Sequence, residues 1–257
     1  MIFQIIHRYL RGDLTRNTMR FVLLPLIFLS YFGMLAVAAS LYPDTYDWRY
    51  LSISKLLYPL TNPQFHYIAA FSVAVTGVLL APFAGFIRRR LGNTSSCSAH
   101  VGSAMFFIGC MCLTLAGLIA SHPQHGTPRF PQLHSTLARI SVIGIGLGLV
   151  IFNVGATRGY FRRPFGRTPR LRGLLLSWNL LTAPIVLVTM TWGVIRLLVK
   201  RSTPAYHTIA ATALWKVGFW EWIGSIVVFA FLVCAVWLLP EHDPQPTSAA
   251  PSQPPGG

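Results

Sequence analysis

Two histidines stand in nearly the same local frame: residues 61–70 read TNPQFHYIAA and residues 129–138 read RFPQLHSTLA. Each stretch sets Pro-Gln, one apolar residue and a histidine ahead of a long apolar run. An imidazole can move a proton, ligate a metal or hold haem iron, so His66 and His134 are the first candidates for chemistry. Glu221 is the next, the one acidic residue inside an apolar run, set between Trp220 and Trp222 in GFWEW. Arg139 follows His134 by just over one helical turn. The segment at 44–66, DTYDWRYLSISKLLYPLTNPQFH, adds Ser52 and Ser54, which could orient a substrate. The segment at 121–134, SHPQHGTPRFPQLH, holds His122, His125 and His134. Three imidazoles and a water complete a zinc site, although no cysteine or carboxylate accompanies them in that segment. The chain contains no H-E-x-x-H, G-x-S-x-G or C-x-x-C-H element, which counts against the commonest zinc-hydrolase, serine-hydrolase and haem-attachment signatures.

The elements that must position these groups follow from composition. Of 257 residues 11% are charged and 53% apolar, against about 25% charged in an ordinary soluble domain. Runs free of Asp, Glu, Lys and Arg occupy 21–43, 56–87, 101–120, 140–156, 173–195 and 222–240. Each comes near or exceeds the ~20 residues a helix needs to cross ~30 Å of hydrocarbon. The sequence therefore predicts an all-α integral membrane protein, a compact bundle of six transmembrane helices. Residues 1–20 form a basic N-terminal segment, 21–239 the helical domain, and 240–257 a Pro-rich tail read as disordered. The small residues of LAVAAS at 35–40 resemble a cleavage site, but the first apolar run exceeds a signal peptide's usual ~7–15 residues and reads as an uncleaved span. Of the four cysteines, Cys97 falls in an inner loop, and Cys110, Cys112 and Cys234 fall in spans. Cys110 and Cys112, two apart on a helix and pointing in different directions, read as packing residues and not as a ligand pair.

Orientation follows from the basic residues. An N-terminus inside places Arg8, Arg11, Arg16 and Arg20, then Arg88 to Arg90, then Arg158, Arg162, Arg163, Arg167, Arg170 and Arg172 on the inner side, most of the 21 Lys and Arg. The positive-inside rule then puts both termini in the cytoplasm of a plasma or bacterial inner membrane. The net charge of +15 is accounted for by arginines beside anionic lipid headgroups, so the expected partners are membrane lipids and no nucleic acid is implied. A homo-oligomer is left open by the sequence.

Small residues mark the expected helix contacts: Gly144, Gly146 and Gly148 in the fourth span, and Ala70, Ala74, Gly77, Ala81 and Gly85 in the second, which places these two spans centrally. Pro25, Pro82 and Pro184 should weaken or kink their helices. Asn62 and Pro63 read as the N-cap and first residue of span two, and Pro131 as the opening of span four. His66 and His134 should then reach the same outer depth and face each other or a shared cavity.

Four stretches together, SISKLLYPLTNPQFHYIAAF, a third span ending in a His-Pro turn, HSTLARISVI and GFWEW, resemble a broad family of six-span proteins. That family includes the GPI-anchor lipid-remodelling factors and the damage-regulated autophagy modulators, with a large prokaryotic branch of unknown function. The resemblance covers about residues 20–240 and implies polar core positions at His134 and Glu221. Family members often carry Ser-Asp in the first outer loop, where this chain has Ser54 followed by Lys55.

Three functions are compatible with these residues. The leading expectation is a non-enzymatic protein that binds or helps to move a lipid or small amphiphile, with Ser52, Ser54, His66, His134, Arg139 and Glu221 at an outer-face cavity and no cofactor. The alternative is a membrane-embedded hydrolase or lipid-remodelling enzyme, with zinc on His122, His125 and His134 and Glu221 as general base. The third is an electron-transfer protein with haem held by His66 and His134.

Overall fold

The structure, a computed structural model, describes residues 2–92, 96–120, 129–162, 169–199 and 202–239. Among these residues it is helical without strands. In chain order the helices are α1 (Ile2–Leu10), α2 (Arg16–Ser40), α3 (Ile53–Leu57), α4 (His66–Gly92), α5 (Ser96–Ala120), α6 (Arg129–Arg162), α7 (Pro169–Leu198), α8 (Pro204–Ala211) and α9 (Val217–Leu238). Six of them, α2, α4, α5, α6, α7 and α9, are long and apolar enough to cross a membrane. Consecutive long helices run in opposite directions. One end of the bundle carries residues 41–65 and 202–216 and is called the loop end; the other carries Arg16, Arg88 to Arg90 and Arg170 and is called the arginine end.

The helix starts use the expected residues in a modified way. The Asn62 carbonyl accepts the His66 N–H at 3.0 Å, as an N-cap carbonyl does. Its fully buried side chain instead donates to the Leu56 carbonyl at 3.1 Å and so ties α3 to α4. At the other repeat, α6 begins at Arg129 and Pro131 lies in its first turn, where a missing N–H has no cost.

Glycine sets the central packing. A Cβ on Gly117 of α5 would lie 2.6 Å from the Ala74 nitrogen, and one on Gly109 would lie 2.6 Å from the Ile145 nitrogen. Gly144 and Gly148 of α6 are equally tight, with Met105 O and Phe106 N at 2.9 and 2.8 Å. These are backbone-to-backbone contacts that no side chain tolerates. They place α5 between α4 and α6 and make α4 the most buried long helix. The centrality expected of span two therefore holds, whereas α6 packs on α5 with one face and leaves the other open. The reason is visible in GIGLGL: Gly144 and Gly148, one turn apart, share the α5 face, while Gly146 points away and meets nothing within 4 Å.

Proline and arginine shape the flanks. Pro82 in α4 has no N–H to give the Val78 carbonyl, its partner four residues back. The Tyr9 hydroxyl of α1 donates to that carbonyl at 3.1 Å. Burial pushes this phenol up to about 12, so it remains a donor at ordinary pH. The chain then turns at Gly12, whose φ of +66° suits glycine alone, and presses against Gly85. Arg89 reaches back to the Gly12 carbonyl and to Asp13. At the same end Arg16 donates to the Leu239 carbonyl and the Arg20 guanidinium lies 3.1 Å from the Trp237 ring centre, which joins α2 to α9. In α2, π-helical turns at Met19–Leu23 and Leu29–Gly33 lie on either side of Pro25.

Helix α7 is attached differently. Leu171, Leu174, Leu175 and Trp178 are buried, and Trp178 stacks on Phe231 of α9 at 3.8 Å and donates to its carbonyl at 3.2 Å. Beyond Trp178 no residue of α7 is buried, and Pro184 stands just after that change.

The glycine contacts make a direct prediction. Gly109→Leu or Gly148→Leu should cost roughly 1–3 kcal/mol or prevent assembly of the bundle, whereas Gly146→Ala should leave stability unchanged or raise it by about 0.5–1 kcal/mol. Thermal unfolding in mild detergent checks this, and equal losses at positions 146 and 148 would show that α6 packs on both faces.

Candidate functional site

Glu221 is committed to the structure of the loop end. Its Oε2 accepts the Ile53 N–H at 2.6 Å, and the Ser54 N–H lies against the same carboxylate. The carboxylate therefore caps α3 from another helix, a task that the Ser52 side chain does not perform. Gly218, one turn earlier on the same face of α9, presses on the backbone of Leu51 and Ser52. Around this dock, Trp222 Nε1 donates to the Tyr46 hydroxyl and Tyr46 donates to the Leu51 carbonyl, each at 3.1 Å. Trp48 stacks on Phe219 with ring centres 6.0 Å apart. Ser225 Oγ donates to the Glu221 carbonyl and receives the Tyr31 hydroxyl, both at 2.7 Å. In GFWEW, then, Gly218, Phe219, Glu221 and Trp222 hold the first loop; Trp220 instead donates to the Leu214 carbonyl at 2.9 Å. Burial pushes the Tyr46 phenol up to about 12, and the Arg49 side chain holds the half-buried Asp47 carboxyl below its usual range.

The two histidines take separate partners. His66, the first residue of α4, has Nδ1 3.3 Å from the Pro63 carbonyl in its own turn. His134 has Nδ1 3.0 Å from the Ala116 carbonyl of α5. Both are half-buried at the loop end, on helices that α5 separates, and no contact joins them among the described residues. His122 and His125 lie outside the described residues, and among those described no three His, Cys, Asp or Glu gather as a metal group. Ser52 and Ser54 are half-buried in the dock. Arg139 is exposed on α6 and has neither ion pair nor hydrogen bond among the described residues.

The open face of α6 leads to a second feature. Asn153 Nδ2 of α6 donates to Asn179 Oδ1 of α7 at 3.2 Å, which fixes the faces these helices turn toward each other. At about 100° per residue, Arg139, Val142 and Gly146 share the Asn153 face within about 40°. By the same count Val186, Met190, Gly193 and Leu197 share the Asn179 face. Had the helices stayed in contact, these side chains would be covered. They are not: Val142 is 69%, Val186 51%, Met190 69% and Leu197 87% exposed. Gly224 of α9 lies two turns from Phe231 on the face that meets α7. A Cβ on Gly146, Gly193 or Gly224 would meet nothing within 4 Å. The three helices touch at Asn153, Asn179, Trp178 and Phe231, and toward the loop end the faces that continue these contacts are uncovered; the open side between α6 and α7 is called the crevice. From Asn153 to Arg139 this crevice rises about 21 Å.

Aromatic residues close its upper end on the α9 side. Trp192 and Trp215 have ring centres 5.0 Å apart, Tyr206 meets Trp215 at 5.7 Å, and the Arg196 guanidinium lies 3.9 Å from the Trp192 ring. Helix α7 is therefore held at both ends. Of the predicted site residues only Arg139 belongs to this crevice. Asn153, Asn179, Gly193 and Gly224 were not expected there, although the two asparagines, polar residues inside the apolar runs at 140–156 and 173–195, carried a signal. Comparison with known protein families, with curated sequences and with solved structures finds no match to this chain.

Two measurements test the dock. Glu221→Ala should speed amide exchange at Ile53 and Ser54 at least tenfold and cost roughly 1–3 kcal/mol, because two N–H groups lose their acceptor. Glu221→Gln should lie between, and unchanged exchange in both variants rejects the cap. The folded-state pKa of Tyr46 is above its unfolded value, so its contribution is complete below pH 10 and lost as pH rises toward 12. Near-UV circular dichroism should show an alkaline step there that Tyr46→Phe removes.

Proposed function

We propose that the protein is a six-span membrane protein, both termini cytoplasmic, that binds a lipid or small amphiphile in the crevice between α6 and α7 toward the outer face. One observation carries this reading: the helix faces fixed by the Asn153–Asn179 contact are uncovered above it, with three glycines facing open space. Apolar walls with few polar groups suit an acyl chain, and a lateral opening lets the ligand enter from the bilayer. A length of about 21 Å exceeds the roughly 15 Å of one leaflet's hydrocarbon, so a chain inserted from the outer leaflet fits along it. The basic residues of the arginine end support the cytoplasmic placement of that end. The resemblance to lipid-remodelling six-span proteins points the same way. The reading is of binding, not catalysis, and needs no cofactor.

Two results decide it. Purified protein exchanged into fresh detergent should retain lipid, and a Gly146→Leu, Gly193→Leu double variant that still folds should lose most of it; equal retention would reject the crevice as the site. A reporter enzyme fused after residue 257 should be active only as a cytoplasmic fusion, and activity across the membrane would reverse the orientation.

A further inference from the structure

Arg139 sits at the upper end of the crevice, on the face of α6 that Asn153 turns to α7. It is exposed and has no ionic or hydrogen-bonding partner among the described residues. Of the other described arginines toward the loop end, Arg49 pairs with Asp47 and Arg196 lies against tryptophan rings, whereas Arg8, Arg11, Arg88, Arg158, Arg170 and Arg172, which make no side-chain contact among the described residues, belong to the arginine end. Of the acidic residues of the loop end, Glu221 is committed to α3 and Asp47 to Arg49, and Asp44 makes no ion pair among the described residues. A guanidinium above an apolar slot, without a carboxylate partner among the described residues, is an electrostatic complement to an anionic headgroup. Its planar fork matches two oxygens of a phosphate. The distance from Arg139 to the asparagine pair, about 21 Å, matches one extended acyl chain below that headgroup.

We infer that the ligand is an anionic phospholipid whose phosphate pairs with Arg139, with one acyl chain lying along Val142, Gly146, Val186 and Met190 toward Asn153 and Asn179 and the other chain remaining in the bilayer. This rests on the crevice reading given above and adds the ligand's charge and orientation. Asn153 Oδ1, which has no partner among the described residues, sits at the apolar end of the acyl chain and plays no part in headgroup recognition. Arg139 acts as a binding residue and no bond is made or broken.

The test uses the full chain in vesicles of phosphatidylcholine with a minor fraction of photoreactive lipid bearing a diazirine near the end of one acyl chain. One series carries phosphatidylglycerol and the other phosphatidylcholine, and cross-linked peptides are identified by mass spectrometry. The wild-type protein should cross-link within 142–153 and 179–193, with phosphatidylglycerol at least fivefold above phosphatidylcholine. Arg139→Gln should bring the two lipids to parity at these peptides, and Arg139→Lys should restore part of the preference. Parity in the wild-type protein, or a preference that survives Arg139→Gln, overturns the inference while leaving the crevice intact. Cross-links outside these segments, or yields at them that Gly146→Leu does not reduce for either lipid, overturn the crevice reading itself. Size-exclusion chromatography and helical circular dichroism establish that each variant is folded before it is compared.

Discussion

The contact between the backbones of Gly109 and Gly144 determines much of what surrounds it. With no larger side chain possible at either position, α5 and α6 approach as closely as helices can, and Gly148 against Phe106 repeats the contact one turn on. Between apolar helices in an apolar medium, such close approach supplies the dispersion contacts that water expulsion cannot. The consequence is directional. A helix fastened this tightly along one face is rigid, so α6 does not shift to cover the face of α7 left open above Asn179. The crevice thus depends on the tightness of the α5–α6 contact as much as on the looseness of α7. Pro184, placed just beyond the last buried residue of α7, lies where a change of helix direction has least resistance.

Backbone polar groups impose the second constraint. A carbonyl or N–H without a partner is expensive where water is absent, and the chain resolves this with side chains from distant segments. Tyr9 serves the carbonyl that Pro82 leaves free, Glu221 serves the start of α3, Arg16 serves the end of α9, and Trp178 binds a carbonyl in α9. Each bond also fastens one element to another. Most polar side chains with described contacts are therefore structural, and Arg139 is among the described basic residues that serve none.

The sequence revealed the elements more readily than their use. Six uncharged runs gave six helices because length and apolarity are local properties that tertiary contacts do not override. The parallel between TNPQFH and RFPQLH was real at the level of helix starts, since each histidine lies in the first turns of its helix. It did not extend to a shared site, because the position of α5 between α4 and α6 is set by glycine contacts that a histidine pattern does not encode. Glu221 was legible as an unusual residue but not as a cap, because its partners are backbone N–H groups more than 160 residues away. GIGLGL looked like one packing surface; only the four-residue spacing of Gly144 and Gly148, against the offset of Gly146, separates a contact from an opening. The asparagine pair could have been suspected from polarity within apolar runs, though their mutual contact needed the fold.

The commitment of Glu221 bears on the choice between binding and catalysis. A general base must be free to take a proton from water or substrate. If Glu221 turned to that task, the Ile53 and Ser54 N–H groups would lose their acceptor at the start of α3, and the dock formed by Gly218, Trp222 and Tyr46 would lose its central bond. The loss of a partly buried cap is of order 1–3 kcal/mol, incurred at every turnover before any chemistry began. Binding in the crevice requires no such release. Its walls stand open already, its apolar surface needs only an apolar chain, and Arg139 needs only an anion. The proposed binding is thus the reading that asks least of the existing hydrogen bonds, since it leaves the loop-end carboxylate to hold the fold and assigns the ligand to the arginine.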